Sequence, residues 1–420
     1  MNADWHAGGQ QRGDVALSRD GTPVKRSLFS THLCKGDAGH RRGNRYCTFQ
    51  NVCFRSSSEI LYYWDGRSRP PPSWSNTSAE HDSGALWPGP EEPVRAMFDV
   101  VPGESRPFPT IRRVDGERPA SYRFHGRPVL LVPHTTERNF GHFLGDQLLA
   151  NYILMEALGR EPSPDVDFIA YGFGDRTVPA TGFHRMFSAH PAKSMDTLAS
   201  EYGPDGIVCV DELYAGAANN FLVLETPLIK VAFDRFKRFA LTNMGVWPPQ
   251  PPAHHKVALF AKRPTGTRGR AVLNADTIVE HLRTQLTGTT TTVEVMDPAS
   301  MSAEDQLRFI METTVWVTPA SGGSFIGMFL PRGSSVILLD IIDRDAVTSR
   351  RFGLDYNLWS QIPHLHDLYY RVAPHEMRGV CPSSPDCVNG VDPHYVLDPE
   401  RIWQAVDVAL RETTVSFAAQ

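Results

Sequence analysis

Two glycine-containing stretches in the second half of the chain hold the residues best suited to gripping an anion. Lys262-Arg263-Pro264-Thr265-Gly266-Thr267-Arg268-Gly269-Arg270 places four cations within nine residues, and Thr318-Pro319-Ala320-Ser321-Gly322-Gly323-Ser324 leads into an apolar run that begins at Phe325. A helix that starts at such a turn points unbonded amides and the positive end of its dipole outward, and glycine lets a phosphate come close to the backbone. Ser321, Gly322, Gly323 and Ser324 suit that role, flanked by Thr318 and Phe325. Lys262, Arg263 and Arg268 suit the neutralisation of charge that grows on a leaving diphosphate, where arginine can stand in for a metal ion. Taken singly, the serine-glycine turn reads as ordinary helix-start chemistry and the cationic loop as solvated surface. Both follow a strand of what reads as one sheet, which is what favours a binding role.

A third stretch, Arg138-Asn139-Phe140-Gly141-His142-Phe143-Leu144-Gly145-Asp146, could supply acid–base chemistry. His142 and Asp146 are four apart, so on a helix they share a face, and either group can take a proton from an acceptor hydroxyl. The competing reading is a capped helix with a structural His–Asp contact. Arg138 and Asn139 would then lie on the acceptor side of the same turn. No GxxxxGK[ST], no helix-opening GxGxxG, no GxSxG and no HExxH occurs, which weighs against ATPase, dehydrogenase, serine hydrolase and zinc protease readings. A metal-dependent phosphate-ester enzyme would need a carboxylate cluster. Asp340, Asp343 and Asp345 come nearest, and they read better as solvated charge at a sheet edge, so no metal site is expected.

The elements that must carry these residues follow from the apolar patterning. Pro128–Pro133 reads as a buried strand and His142–Leu158 as a helix with Phe143, Leu148, Leu149, Tyr152, Ile153 and Met155 inward. Phe168–Ala170, Ile207–Val210 and Leu222–Leu224 read as further strands and Lys230–Met244 as a helix. After the proline-rich stretch Trp247–His255 the order is strand Lys256–Ala261, helix Asn274–Leu286, strand Thr292–Met296, helix Ser302–Thr313, strand Val315–Thr318, helix Phe325–Leu330 and strand Ser335–Asp340. Alternation of this kind implies a parallel sheet with right-handed crossovers, and ligands of such sheets bind at the carboxyl ends of the strands.

A chain of 420 residues suits two domains of roughly 150–200 residues. The expected divisions are a disordered or extended arm over 1–45, an N-terminal α/β lobe over 46–246, a proline-rich linker over 247–255, and a C-terminal α/β lobe over 256–420 with a C-terminal helix that could pack back. Residues 66–95, with Pro70-Pro71-Pro72, read as a long surface loop. A net charge of −5 gives no overall drive toward nucleic acid or acidic lipid. No apolar run is long enough to span a bilayer, and the first residues lack the apolar core of a secretory signal. The sequence as written therefore reads as cytoplasmic, or lumenal if it is an excised catalytic domain.

Six cysteines are present. Cys47 with Cys53 and Cys381 with Cys387 are spaced for short-loop disulfides or for reduced structural thiols. Neither pair has zinc-knuckle spacing. Cys34 stands alone, and Cys209, within Ile207-Val208-Cys209-Val210, reads as a small core hydrophobe.

Several of these segments resemble glycosyltransferase family 61, the group of protein O-linked N-acetylglucosaminyltransferases and plant cell-wall xylosyl- and arabinosyltransferases. The matching pieces, in the family's order, are Cys47–Cys53, Asn139-Phe140-Gly141-His142 with Asp146, Val208–Gly216, Lys262-Arg263, Asp305-Gln306, and Pro319–Gly333 ending in Phe329-Leu330-Pro331-Arg332-Gly333. The resemblance implies a GT-B-like α/β architecture: two Rossmann-like lobes with parallel sheets and a cleft between them. It also implies a UDP-sugar as donor substrate, no further cofactor, a glycan or glycoprotein acceptor, and inversion at the anomeric carbon without an obligatory metal. His142 or Asp146 would be the base. The chain departs from the family's usual Pro-His-Gly-Ala-Gly-Leu-Thr-Asn at Ala320, in place of the histidine, and at Ile326, in place of the asparagine. The rival reading from another class is a non-catalytic nucleotide- or sugar-binding protein that keeps the fold.

Overall fold

The protein, seen as a computed structural model, is described over residues 15–17, 23–35, 46–55, 59–65, 94–95, 110–133, 140–157, 159–171, 182–202, 206–215, 227–261, 270–340, 359, 362, 364–378 and 394–417. The chain divides into two units, one made of Met1–Thr135, Leu154–Val178 and Ser188–Asn220 and the other of Thr136–Ile153, Pro179–Phe187 and Phe221–Gln420.

In the first unit the described strands are β1 (Val15–Leu17), β2 (Pro23–Lys25), β3 (Thr31–Lys35), β4 (Tyr46–Arg55), β5 (Glu59–Trp64), β6 (Val94–Arg95), β7 (Thr110–Asp115), β8 (Arg123–His125), β9 (Val129–Pro133), β10 (Asp167–Tyr171), β11 (Lys193–Ser194) and β12 (Ile207–Ala215). The pair β1 and β2 stands apart, and the rest form one sheet in the order β11-β10-β9-β12-β4-β5-β7-β6, with β3 beside β4 and β8 beside β12. β11, β10, β9 and β12 run parallel, whereas β4 is antiparallel to β12, β3 and β5. This unit is thus a mixed sheet, a departure from the parallel sheet expected of both lobes. The reason lies in the β4 and β12 strands, which are long enough to pair along nearly their whole length in opposite directions.

Side-chain alternation sorts this sheet's two faces. Val52 and Phe54 pack with Val129, Leu131, Val208 and Val210 on one face, while Cys53 and Cys209 meet Leu61 and Tyr63 on the other. The register sets Cys53 directly opposite Cys209, and the two form a disulfide across 156 residues. That corrects both cysteine expectations: Cys53 pairs across the sheet rather than with Cys47, and Cys209 is a cross-link rather than a free core thiol. Cys47 lies opposite Cys34 in the register. Cys381 and Cys387 lie outside the described residues, as do residues 66–93 of the expected surface loop.

Part of the expected N-terminal arm belongs to this unit. β3 pairs with β4, Arg26 forms a two-pronged ion pair with Asp211 at 2.7 and 2.9 Å, and its guanidinium lies 4.1 Å from the Phe124 ring centre. Arginine's planar fork makes both contacts at once.

The second unit is built on a parallel sheet of β13 (Lys256–Phe260), β14 (Thr292–Met296), β15 (Val315–Pro319), β16 (Ser335–Asp340) and β17 (His366–Arg371), in the order β14-β13-β15-β16-β17. A short antiparallel pair, β18 (Met377–Arg378) and β19 (His394–Tyr395), stands beside it in the same unit. β13 and β15 are buried at every position, as strands covered on both faces must be, while the edge strand β17 alternates. Helix Ala303–Met311 starts where Ser302 accepts the Asp305 amide, and helix Pro399–Glu412 starts where Asp398 accepts from Glu400 and Arg401 behind a proline in the first turn. The latter buries Ile402, Val406 and Ala409, one helical face, and packs against β16 and β17.

Helix Pro227–Asn243 and the proline-rich stretch after it also lie in the second unit, as do 136–153 and 179–187, all of which the sequence reading gives to the first lobe or the linker. Aromatic packing explains it: Tyr152 lies 5.6 Å from Phe236 and 5.4 Å from Phe239 between ring centres, and Phe187 lies 5.6 Å from Phe239. Apolar spacing locates such helices but does not say which sheet they cover. Leu222–Leu224 falls outside the described residues. No helix among the described residues is long and apolar enough to cross a membrane.

Candidate active site

Counted along the chain, the second unit's strands lie in the order 2-1-3-4-5, so the winding reverses between the first, β13, and the third, β15. Loops leaving the carboxyl ends of two such strands diverge to opposite faces of the sheet and leave a crevice between them, the usual ligand position of open α/β sheets. The two loops that border this point are in the stretches the sequence singles out, 262–270 after β13 and Ala320–Ser324 after β15.

The turn after β15 is shaped by its own hydrogen bonds. Thr318 is fully buried, and the Ser324 amide and hydroxyl both donate to the Ser321 carbonyl, at 2.9 and 2.7 Å. Gly322–Phe329 forms a 3₁₀ helix, one turn earlier than the expected start at Phe325, with Ser321 extended as its cap. In that geometry the amides of Gly322 and Gly323 open the helix and have no acceptor within it. Ser321, Gly322 and Gly323 are partly exposed, whereas Ser324 and Phe325 are buried. Of the residues expected to touch a donor, Thr318, Ser324 and Phe325 are therefore inside, Thr318 within β15, and the accessible part is Ser321-Gly322-Gly323.

Both glycines are needed by their neighbours. A methyl group on Gly323 would lie 2.4 Å from the Phe260 ring, which projects from the last residue of β13 and meets Trp316 edge-on at 5.7 Å. On the other side, a methyl group on Gly141 would lie 2.8 Å from the Gly322 Cα and 2.8 Å from the Phe325 ring. The helix that begins at Phe140 thus rests backbone to backbone on the phosphate-suited turn. It runs as one α-turn, Phe140–His142, then as a π-helix, Phe143–Leu149, then as α-helix from Ala150. Phe143, Leu144, Leu148 and Leu149 are buried, and the Phe140 ring stacks 4.6 Å from Phe183. π-turns inside helices are uncommon and concentrate at functional sites. Backbone positions 142 and 146 lie in this segment, on the helix that touches Gly322. The side chains of His142 and Asp146 lie outside the description, and so do Arg138 and Asn139.

Lys262, Arg263 and Arg268 are also outside the described residues, as are Asp343 and Asp345. The loop's last cation, Arg270, is described. Its backbone is left-handed, φ 69°, and its guanidinium donates to the Ala320 carbonyl at 2.6 Å. The segment behind it is tied down, with Leu273 donating to the Tyr395 carbonyl and Tyr395 to that of Ala271. The cationic loop therefore returns to the serine-glycine turn through Arg270, a residue that the sequence reading leaves out of the donor-contacting set. Four cations in one loop carry no signal that sorts the one pinned to the neighbouring turn from the others. Phe260 and Gly141 are likewise unmarked in the sequence, the first reading as a strand residue and the second as part of a motif. Asp305 and Gln306 build a local cap: Ser302 donates to the Asp305 carboxylate at 2.7 Å, and Gln306 donates to the Pro298 and Met301 carbonyls.

Residues 140–337 match the family model described as Glycosyltransferase 61. No curated protein matches the chain. The matched span begins at Phe140, where the helix meets Gly322, and ends within β16, so it takes in the helix, both switch-point loops and the strands that carry them.

Proposed function

The chain carries a glycosyltransferase family 61 region and is a glycosyltransferase, and from that premise we propose that it moves a sugar from a UDP-sugar to a hydroxyl of a glycan or protein, with inversion and without a required metal. The observation that carries this reading is the meeting, in one unit, of the 3₁₀ helix opening at Gly322, the arginine-bearing loop that ends at Arg270, and the helix of positions 142 and 146. The fold is read as GT-B-like on the same ground, with the parallel second unit holding the nucleotide.

In this proposal the acceptor oxygen attacks the anomeric carbon while the bond to the diphosphate oxygen breaks. The diphosphate leaves with the bonding electron pair, and the acceptor proton passes to Asp146 or His142. Charge on the leaving group is met by the Gly322 and Gly323 amides and by cations of the loop, Lys262, Arg263 and Arg268 together with Arg270. The Cys53–Cys209 disulfide favours an oxidising compartment, the lumenal alternative of the localisation reading. GlcNAc or xylose as the transferred sugar is an expectation from the family resemblance.

The test is a panel of UDP-sugars assayed for UDP release and for the anomeric configuration of the product, with and without chelator, alongside UDP titration by calorimetry. UDP binding, release from at least one donor with an inverted product, and indifference to chelator are expected. Asp146→Asn should cut turnover by roughly two to four orders of magnitude, the span of a general base, with UDP affinity intact. Absence of UDP binding would refute the donor site. Binding with no turnover on any donor and acceptor offered would return the chain to the non-catalytic class.

A further inference from the structure

At the amino-terminal edge of the same parallel sheet, the edge opposite the switch-point loops, lies a cavity of about 660 Å³. It is bounded by segments that precede β13, β16 and β17: the proline-rich stretch from Trp247 to Pro252, the turn Pro331–Gly333, and His364. Helix Pro227–Asn243 supplies Asp234 and Lys237. None of these residues takes part in the chemistry above, and the strands between the two sites separate them by roughly 16 Å, five residues at about 3.3 Å each.

The polar groups in this cavity are unusual for a structural pocket. His364 is 5% exposed, and neither ring nitrogen has a hydrogen-bond partner among the described residues. The Asp234 carboxylate lies 3.5 Å from Nδ1, and its other oxygen lies 3.8 Å from the largely exposed Arg332. Lys237 donates to the Leu330 carbonyl. Burial first, then Lys237 and Arg332, hold the imidazole neutral with a pKa down to about 3, and burial with Arg332 outweighs Asp234 in bringing Lys237 down to about 7. A neutral imidazole offers one donor and one acceptor. Buried polar groups left in that state await a partner. Beside them the Trp247 ring is 38% exposed, with the Arg238 guanidinium 5.8 Å from its centre.

The chemistry of this set narrows the occupant. A phosphate or carboxylate would find Lys237, Arg238 and Arg332 in the lining but would meet the Asp234 carboxylate among them. A metal cation would meet one carboxylate against Lys237 and Arg332. An apolar peptide would leave the His364 ring nitrogens covered and without a hydrogen-bond partner. A sugar ring has hydroxyls that both donate and accept, and it has an apolar C–H face that lies well on an aromatic ring. We propose that this cavity is a second, non-catalytic binding site for a neutral oligosaccharide, with Trp247 as stacking platform and Asp234, His364 and Lys237 as hydroxyl partners. Its volume is that of a small-molecule site, for which about 300–1,000 Å³ is usual. In a glycosyltransferase such a site holds an acceptor glycan by sugars remote from the transfer, raising its local concentration. The binding does not depend on the transferase reading, since the sugar would bind equally to a chain without turnover.

Saturation-transfer NMR on the full chain, with chitotriose, xylotriose and lactose as probes and with or without saturating UDP, tests it. Transfer to at least one probe that survives UDP is expected, and Trp247→Ala and Asp234→Asn should each weaken that probe's affinity by at least about tenfold, the value of a hydrogen bond to a charged group. Asp234 is about half exposed and the exchange is isosteric, so this variant should keep the wild-type melting temperature and UDP affinity even if Trp247→Ala does not. Three results overturn the proposal: no transfer to any probe, transfer unchanged in Asp234→Asn, or saturable binding of inorganic phosphate that depends on Lys237 and Arg332 while all three sugars fail. Failure of UDP-sugar turnover with probe binding intact counts against the transferase reading alone.

Discussion

Replacing Gly141 by alanine tests whether the helix of positions 142 and 146 is seated on the serine-glycine turn proposed to hold the donor. The added methyl would lie 2.8 Å from the Gly322 Cα and 2.8 Å from the Phe325 ring, against an ordinary contact beginning at 3.4 Å. The shortfall is about 0.6 Å, the difference of those two distances. One partner is backbone and the other a ring only 8% exposed, so no side chain can simply swing aside, and the helix or the turn must move. Overpacking of this kind costs typically 1–3 kcal/mol, and alanine's better helix propensity returns up to about 1 kcal/mol. The net loss expected in urea unfolding is therefore about 0–3 kcal/mol, small enough for the protein to stay folded.

Function should suffer more than stability. A shift of roughly half an ångström to one ångström between a proton acceptor and the bound donor costs one to two orders of magnitude in rate when reactants are aligned by binding. Gly141→Ala should lower kcat by about 10- to 100-fold, with UDP affinity changed by less than about fivefold, because only Gly322 is pushed among the turn's accessible residues. Wild-type kcat together with wild-type stability would refute the reasoning, since no 0.6 Å displacement could then have occurred beside the reacting groups.

Three further outcomes are expected. Arg270→Ala should weaken UDP binding by about 1.5–3 kcal/mol in calorimetry, as much as Arg263→Ala, because its guanidinium is fixed on the Ala320 carbonyl; unchanged affinity would make Arg270 a loop anchor only. Cys53→Ala with Cys209→Ala should destabilise by about 2–5 kcal/mol and make the unfolding midpoint insensitive to reductant, whereas a reductant-insensitive wild type would deny the cross-link. His364 binds fewer protons folded than unfolded between about pH 3 and about pH 6.5, so its contribution is complete above 6.5 and is lost as pH falls toward 3, by up to roughly 4–5 kcal/mol. In His364→Gln the loss of stability from pH 6.5 to 4 should be correspondingly shallower, and an identical slope in both proteins would show that the ring titrates normally.

What the sequence makes legible follows from the range of the interactions that specify it. The strands Lys256–Phe260, Thr292–Met296 and Ser335–Asp340 and the helices between them are patterned locally: an apolar run, a capping serine, a helical face. Their alternation suffices for a parallel sheet, and a parallel sheet suffices to point at the loops after β13 and β15. The first unit is harder to read because β4 finds its partner in β12, more than 150 residues away, and only that register explains why Cys53 meets Cys209. The same holds at the site. Gly141 and Gly322 are 181 positions apart, and their contact depends on how Tyr152, Phe236 and Phe239 seat the helix.

The two departures from the family pattern take on a physical meaning once the turn is seen. Ala320 and Ile326, which stand where the family often has histidine and asparagine, are 5% and 1% exposed. Polar side chains at such positions would need buried partners, and apolar ones need none. Loss of the histidine alone would also remove a cation or a donor from the turn, but the carbonyl of that same residue is where Arg270 is held. A guanidinium keeps its charge at any pH relevant to the protein, whereas an imidazole would be largely neutral at pH 7. Positive charge thus stands next to the Ser321–Gly323 turn, over an interior that is apolar at Ala320 and Ile326. On the proposed reading, a cation fixed beside the turn is what a diphosphate site would need there, and Arg270→Ala is the variant that decides it.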